Sequence, residues 1–160
     1  MLNKLPFPIA SLALGFAALG NLLGSYSQEL RFVLGAVALI IALAILAKII
    51  KDPKSFKEGL NHPLISSSMA TFPMAFILLA GYIRPMLPTI AFIVWCAAIV
   101  FYIGLIIVFT KNFILNFNIK KVFATYFVLY VGIVVTSLTS KAMGFPIVGI
   151  IAFWFGLLAY

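Results

Sequence analysis

Acidic side chains are nearly absent from this sequence: Glu29, Asp52 and Glu58 are the three among 160 residues, and none lies in an apolar run. There is one histidine, His62, and one cysteine, Cys96. These scarcities remove whole classes of chemistry. No Ser-His-Asp set can be assembled within an apolar stretch, and no His/Cys cluster has metal-site spacing. Neither G-x-x-x-x-G-K-[ST] nor G-x-G-x-x-G occurs. No catalytic residue, metal or cofactor is therefore expected. A lone cysteine makes no internal disulfide, and inside an apolar run it behaves as a small hydrophobe. No cleavable leader is expected from these residues: only Lys4 forms a basic start, and no small-x-small site precedes a polar mature domain.

Charge of either sign is scarce. Charged residues make up 9% of the chain and hydrophobic ones 65%, where a soluble domain has about a quarter charged. Such a chain cannot cover itself with polar surface in water, and a bilayer removes that need. The net charge of +8 raises the question of nucleic acid. The basic residues sit at the ends of apolar runs, however, and no polar segment interleaves them with aromatics. They read as topology and headgroup anchors, and nucleic acid is not expected as a partner.

What is present is a series of apolar runs: residues 7–24, 32–50, 64–83, 89–110, 122–138 and 146–160. The first five have about the length a spanning helix needs. The sixth is 15 residues, about 22 Å of helix, and has no closing polar flank. The pattern predicts an all-α integral membrane protein with five complete transmembrane helices and a partial sixth. It also predicts that residues 1–160 are a single transmembrane domain, the N-terminal part of a longer chain. A short last helix ending at an interfacial tyrosine is the alternative.

The connections alternate in charge. Lys4, then Lys48, Lys51, Lys54 and Lys57, then Lys111, Lys120 and Lys121 fall on one side, against Arg31, Arg84 and Lys141 on the other. The positive-inside rule places the N-terminus in the cytoplasm of a multi-pass plasma-membrane protein.

Odd and even runs differ in kind. The first, third and fifth carry Pro, Ser, Thr, Tyr and Gly; the second and fourth are mostly Leu, Ile, Val, Ala and Phe. Polar and small residues in a bilayer face protein or a water-filled path, so the odd runs are expected inside and the even runs outside. Ser11-Leu12-Ala13 recurs as Ser68-Met69-Ala70, in keeping with repeated helical hairpins. No complete run holds an acid, which argues against a cation or proton path. Hydroxyls and the backbone donors freed near Pro8 and Pro73 suit an anion instead. Packing through small residues is the alternative role for Ser66, Ser67, Ser68 and Thr71, and for Gly15, Gly20 and Gly132. His62, just before Pro63, is either a titrating group at a mouth or an interfacial polar residue at a helix start.

Residues 7–15, Phe7-Pro8-Ile9-Ala10-Ser11-Leu12-Ala13-Leu14-Gly15, resemble the opening helix of a known family. His62-Pro63 leading into a Ser/Thr-rich run with Pro73 resembles its third helix. Ala124-Thr125-Tyr126-Phe127-Val128 through Gly132-Ile133-Val134, then Gly144-Phe145-Pro146, resembles its fifth helix and the turn into the sixth. The family is that of tellurite-resistance/dicarboxylate transporters, which includes bacterial TehA-type proteins, fungal malate permeases and plant slow anion channels. The resemblance implies ten helices in five hairpins, odd-numbered helices lining an anion path, and often a trimer. This chain would supply half of that pore fold. Its gating phenylalanine lies on a helix this sequence does not reach, so Phe16, Phe72 and Phe76 take no such role.

The expected function is membrane transport of small anions (C4-dicarboxylate, tellurite or inorganic), by a channel or a secondary transporter in the lipid bilayer. Ser11, Ser68, Thr71, Tyr126 and Tyr130 are expected to line the path; Pro8, Gly15, Pro73 and Gly132 are expected to shape the helices. The rival readings are a structural or assembly membrane protein, a non-conducting remnant, and an intramembrane enzyme whose catalytic groups lie past residue 160.

Overall fold

The computed structural model describes residues 6–114 and 125–159. Lys4, Lys120, Lys121 and Tyr160 lie outside the described residues, as does the start of the fifth run. Among the described residues all regular structure is helical: α1 (Ile9–Leu23), α2 (Gln28–Lys51), α3 (Pro53–Leu60), α4 (Pro63–Met69), α5 (Thr71–Ile83), α6 (Pro88–Phe109), α7 (Thr125–Val131), α8 (Val135–Met143) and α9 (Pro146–Leu158). A π-helical turn at Thr110–Ile114 follows α6, and a 3-10 turn at Gly132–Val134 joins α7 to α8.

Local chemistry sets these boundaries. Ser27 caps α2 by accepting from the Leu30 N–H at 3.4 Å, and Lys48 and Lys51 sit in the last turn, where the helix dipole favours cations. Asp52 caps α3 by accepting from the Ser55 N–H at 3.1 Å, with Pro53 in the first turn. Pro63, Pro88 and Pro146 open α4, α6 and α9 in the same way. Gly144 ends α8 in the left-handed region at φ 87°. Its N–H donates to Lys141 and that of Phe145 to Ser140, a Schellman closure that turns the chain into α9.

Among the described residues, four helical stretches are long and apolar enough to cross a membrane: Gln28–Lys51, Pro63–Ile83, Pro88–Phe113 and Tyr126–Met143. The helices from the first and sixth runs, Ile9–Leu23 and Pro146–Leu158, are shorter. At 15 residues α1 reaches about 22 Å, less than the ~30 Å of hydrocarbon.

The helices pack as hairpins. α1 lies against α2, α5 against α6, and α8 against α9. α1, α5 and α8 form one row with α5 in the middle, and α4 touches α7. Small residues allow the close approach: Ala13 and Ala17 of α1, Ala38 and Ala42 of α2, and Ala75 of α5 share one buried cluster with Leu78 and Leu79. Tyr82 locks it, its hydroxyl donating to the Ala17 carbonyl at 2.6 Å.

The two ends of the bundle differ. At one end the Arg31 guanidinium lies 4.9 Å over the Tyr82 ring, and Phe92 stacks on Phe145 at 5.3 Å. At the other, the buried Lys48 ammonium sits 4.2 Å over the Phe7 ring, and Phe7 meets Phe56 of α3 edge-on.

The expected contrast between odd and even spans holds for the third span. In its most apolar stretch 72% of residues are buried, against 28% for Gln28–Lys51 and 33% for Pro88–Phe113. The fifth span departs from it, at 33% for Tyr126–Met143. α5 has packed neighbours on both sides of the row, whereas α8 stands at the row's edge.

Candidate functional site

The row's two interrupted spans meet where their helices break. In the third span the α-helix divides at Ala70, between α4 and α5. Pro73 has no N–H to donate to the Met69 carbonyl, and the Ala70 N–H turns back to Ser67 at 3.3 Å. In the fifth span the break is the 3-10 turn at Gly132. Met74, in the first turn of α5, links the two: a Cβ on Gly132 would collide with its thioether methyl and come within 2.7 Å of the Tyr102 hydroxyl. Tyr102, from α6, donates to the Leu129 carbonyl at 2.8 Å. Ala70, Met74, Tyr102, Leu129 and Ile133 form one buried cluster, with Leu14 of α1 and Tyr130 packed on it.

The hydroxyls round the breaks point back along their own helices. Ser67 donates to the Pro63 carbonyl at 2.9 Å, Ser68 to Ile65 at 2.8 Å and Thr71 to Ser68 at 2.8 Å. Ser137 donates to Val134 at 2.7 Å and Ser140 to Ser137 at 3.0 Å. Such back-bonding is local and breakable. A hydroxyl that is to bind an anion must rotate its proton off the carbonyl, at about 1 kcal/mol for a neutral hydrogen bond.

The expected path residues fall into two groups and a single. Ser68 and Thr71 flank the break of the third span; Thr71 is buried and Ser68 half-buried. Tyr126 and Tyr130 surround Phe109 at the end of α6, with ring centroids 4.6 and 6.3 Å from it. The Tyr130 hydroxyl shares a 2.6 Å hydrogen bond with Thr110. Ser11 is exposed on α1, its hydroxyl donating to the Pro8 carbonyl. Among the expected helix-shaping residues, Pro73 follows the break and Gly132 forms one. Pro8 stands at the start of α1 and not within it, and a Cβ on Gly15 would meet nothing. His62 is exposed at the N-cap of α4 with no side-chain capping bond. Among the described residues no group of His, Cys, Asp and Glu is placed to hold a metal.

Sequence reading did not find Tyr102, Trp95 and Met74. The first two sit in an even, apolar run yet reach across to the fifth span: Trp95 donates through Nε1 to the Thr139 hydroxyl at 2.9 Å. A polar atom on an aromatic ring inside a bilayer requires a partner, and that requirement was the available signal.

Helical hairpins of this length and polarity define a polytopic membrane protein. The particular family follows from its sequence profile: the one described as voltage-dependent anion channel (SLAC1) matches residues 4–160. The chain belongs to that family. Membership places it among membrane proteins that transport small anions across a lipid bilayer, a family of channels and transporters rather than enzymes. No curated protein and no solved structure matches it.

Proposed function

We propose that the chain supplies three inner helices of an anion path, from the first, third and fifth runs, with the second, fourth and sixth runs as their lipid-facing partners. The observation that carries this reading is the pair of helix breaks at Ala70 and Gly132, bridged by the Met74 side chain, in a chain of the anion-channel family. Ser11, Ser68, Thr71, Tyr126 and Tyr130 line the path. The N-terminus is cytoplasmic, in the plasma membrane, where the side rich in Lys48, Lys51, Lys54, Lys57 and Lys111 raises local anion concentration. Further helices complete the ring, and the assembly is a trimer.

Neutral hydroxyls favour a small monovalent inorganic anion over a C4-dicarboxylate or tellurite. Desolvation rises steeply with charge, and a dianion in a site without fixed cations has nothing to offset it. The full native chain in proteoliposomes should pass nitrate or chloride faster than malate. Ser68→Leu and Thr71→Leu should each lower that flux severalfold at equal expression; unchanged flux in both removes them from the path.

A second reading, a structural membrane protein, is favoured by the back-bonded hydroxyls and the burial of Thr71. Cysteines placed at Ser11, Ser68 and Tyr130 separate the two. Reaction with a small water-soluble thiol reagent supports the path, and uniform protection supports packing.

A further inference from the structure

On the outer side of the row, α2 and α6 stand apart over α5 and leave an apolar groove of about 310 Å³. Its walls include Leu46 and Ile49 of α2 and Phe101 of α6, and Phe72, Pro73 and Phe76 form its floor. At one end Ile49, Phe72 and Phe101 also border a smaller recess that Phe56 of α3 helps to close. The Phe56 and Phe101 rings lie 6.2 Å apart.

α3 has two faces. Phe56 and Leu60 are half-buried and Gly59 is buried, close enough to α4 that a Cβ there would strike the Met69 methyl. Lys54 and Lys57 are exposed, as is Lys51 at the end of α2. Glu58 is the exposed acid of this face, and the carboxylate of Asp52 is engaged as the helix cap. Three ammonium groups against one free carboxylate therefore stand on the exposed side of the short helix whose Phe56 borders the recess at the groove's end.

We propose that the groove and these lysines together bind an anionic phospholipid, with an acyl chain along Phe72, Pro73 and Phe76 and the phosphate at Lys51, Lys54 and Lys57. Charge complementarity selects the occupant. A short amphipathic helix with lysines on its outer face lies at the headgroup level and attracts anionic lipid. The groove's size is the second argument: one turn of a helix 10–12 Å across and 5.4 Å in pitch already fills roughly 400 Å³ or more, above the groove's volume of about 310 Å³, whereas part of a single acyl chain enters it.

The test is lipid retention by the full native chain, purified in a neutral detergent and read by native mass spectrometry. Phosphatidylglycerol and phosphatidylcholine with identical acyl chains are the probes. Phosphatidylglycerol should be retained about tenfold or more over phosphatidylcholine, since each lysine near the surface contributes about fivefold. The double variant Lys54→Gln/Lys57→Gln should lose most of that preference and keep its binding of phosphatidylcholine. Ala97→Phe, at the exposed rim of the groove, should weaken both lipids; Ala97→Leu is the milder substitution if the melting temperature falls. Equal retention of the two lipids by the native chain overturns the proposal. So does displacement of phosphatidylglycerol by inorganic phosphate, which marks a site for a free anion. Unchanged lipid retention in both Ala97 variants with a change in oligomeric state overturns it as well, and assigns the groove to a second copy.

Discussion

The second and third spans are close in length, 24 and 21 residues, and opposite in surroundings. The second is almost wholly Leu, Ile, Val and Ala and is 28% buried in its most apolar stretch; the third carries Ser66, Ser67, Ser68, Thr71 and Pro73 and is 72% buried. The less apolar helix is the enclosed one. In water the order would be reversed. In a bilayer, lipid tails solvate Leu and Ile as well as a protein core does, so apolar side chains gain little from enclosure. Small and hydroxylated residues gain more, because protein can pack closely on them and satisfy them.

The sharpest way to break this comparison is to make the same truncation on both helices. Ile77 of the third span is fully buried and Ile40 of the second is 68% exposed. Ile77→Ala should cost about 3 kcal/mol through the cavity it leaves. Ile40→Ala should stay within about 0.5 kcal/mol. Equal losses in thermal unfolding in detergent would show that the burial contrast carries no energy.

Next is a pair of glycines. Gly132→Leu forces the Met74 methyl and the Tyr102 hydroxyl aside and should cost about 2 kcal/mol. Gly15→Leu meets open space and should leave the melting temperature nearly unchanged. A large loss at Gly15 with none at Gly132 would reverse the assignment of the close contact.

The smallest expected effect is polar. Thr139→Val removes the acceptor of the Trp95 indole N–H. Hydrogen bonds between membrane helices average about 0.6 kcal/mol, so a drop of that order is expected, and Trp95→Phe should abolish the penalty in the double variant. A penalty that persists in the Trp95→Phe background would mean that Thr139 acts by packing.

Much of the fold was legible from residue types. The run at 64–83 became Pro63–Ile83 and the run at 89–110 became Pro88–Phe109 within a residue at each end, because proline and charge mark where a helix begins and where it leaves the membrane. The break near Pro73 was legible for the same reason: a residue without an N–H must leave a carbonyl unbonded.

Other features were hidden. α3 read as a polar connection because eight residues give too little period to reveal Phe56, Gly59 and Leu60 as one face. The fifth helix continues past residue 138 to Met143, since Thr139 and Ser140 are buried and back-bonded rather than solvated. Gly132 permits a 3-10 turn without requiring one, and the Met74 methyl beside it comes from another span. Residue types offered Ser11, Ser68, Thr71, Tyr126 and Tyr130 alike as path candidates, and placed Ser68 and Thr71 near the proline-linked break. They gave no sign that Tyr126 and Tyr130 would close round Phe109.

The sequence by itself determined that this is a helical membrane protein of paired spans, and its motifs determined the family. Those properties rest on hydropathy, proline positions and loop charge, which are local. Only the tertiary structure decided that the third span is enclosed, that the fifth stands at an edge, and that Met74 of the third span packs on the Gly132 break of the fifth. Lipid and protein interior are equally apolar, so hydropathy cannot tell a side chain facing one from a side chain facing the other. Only the packing of helix on helix distinguishes them.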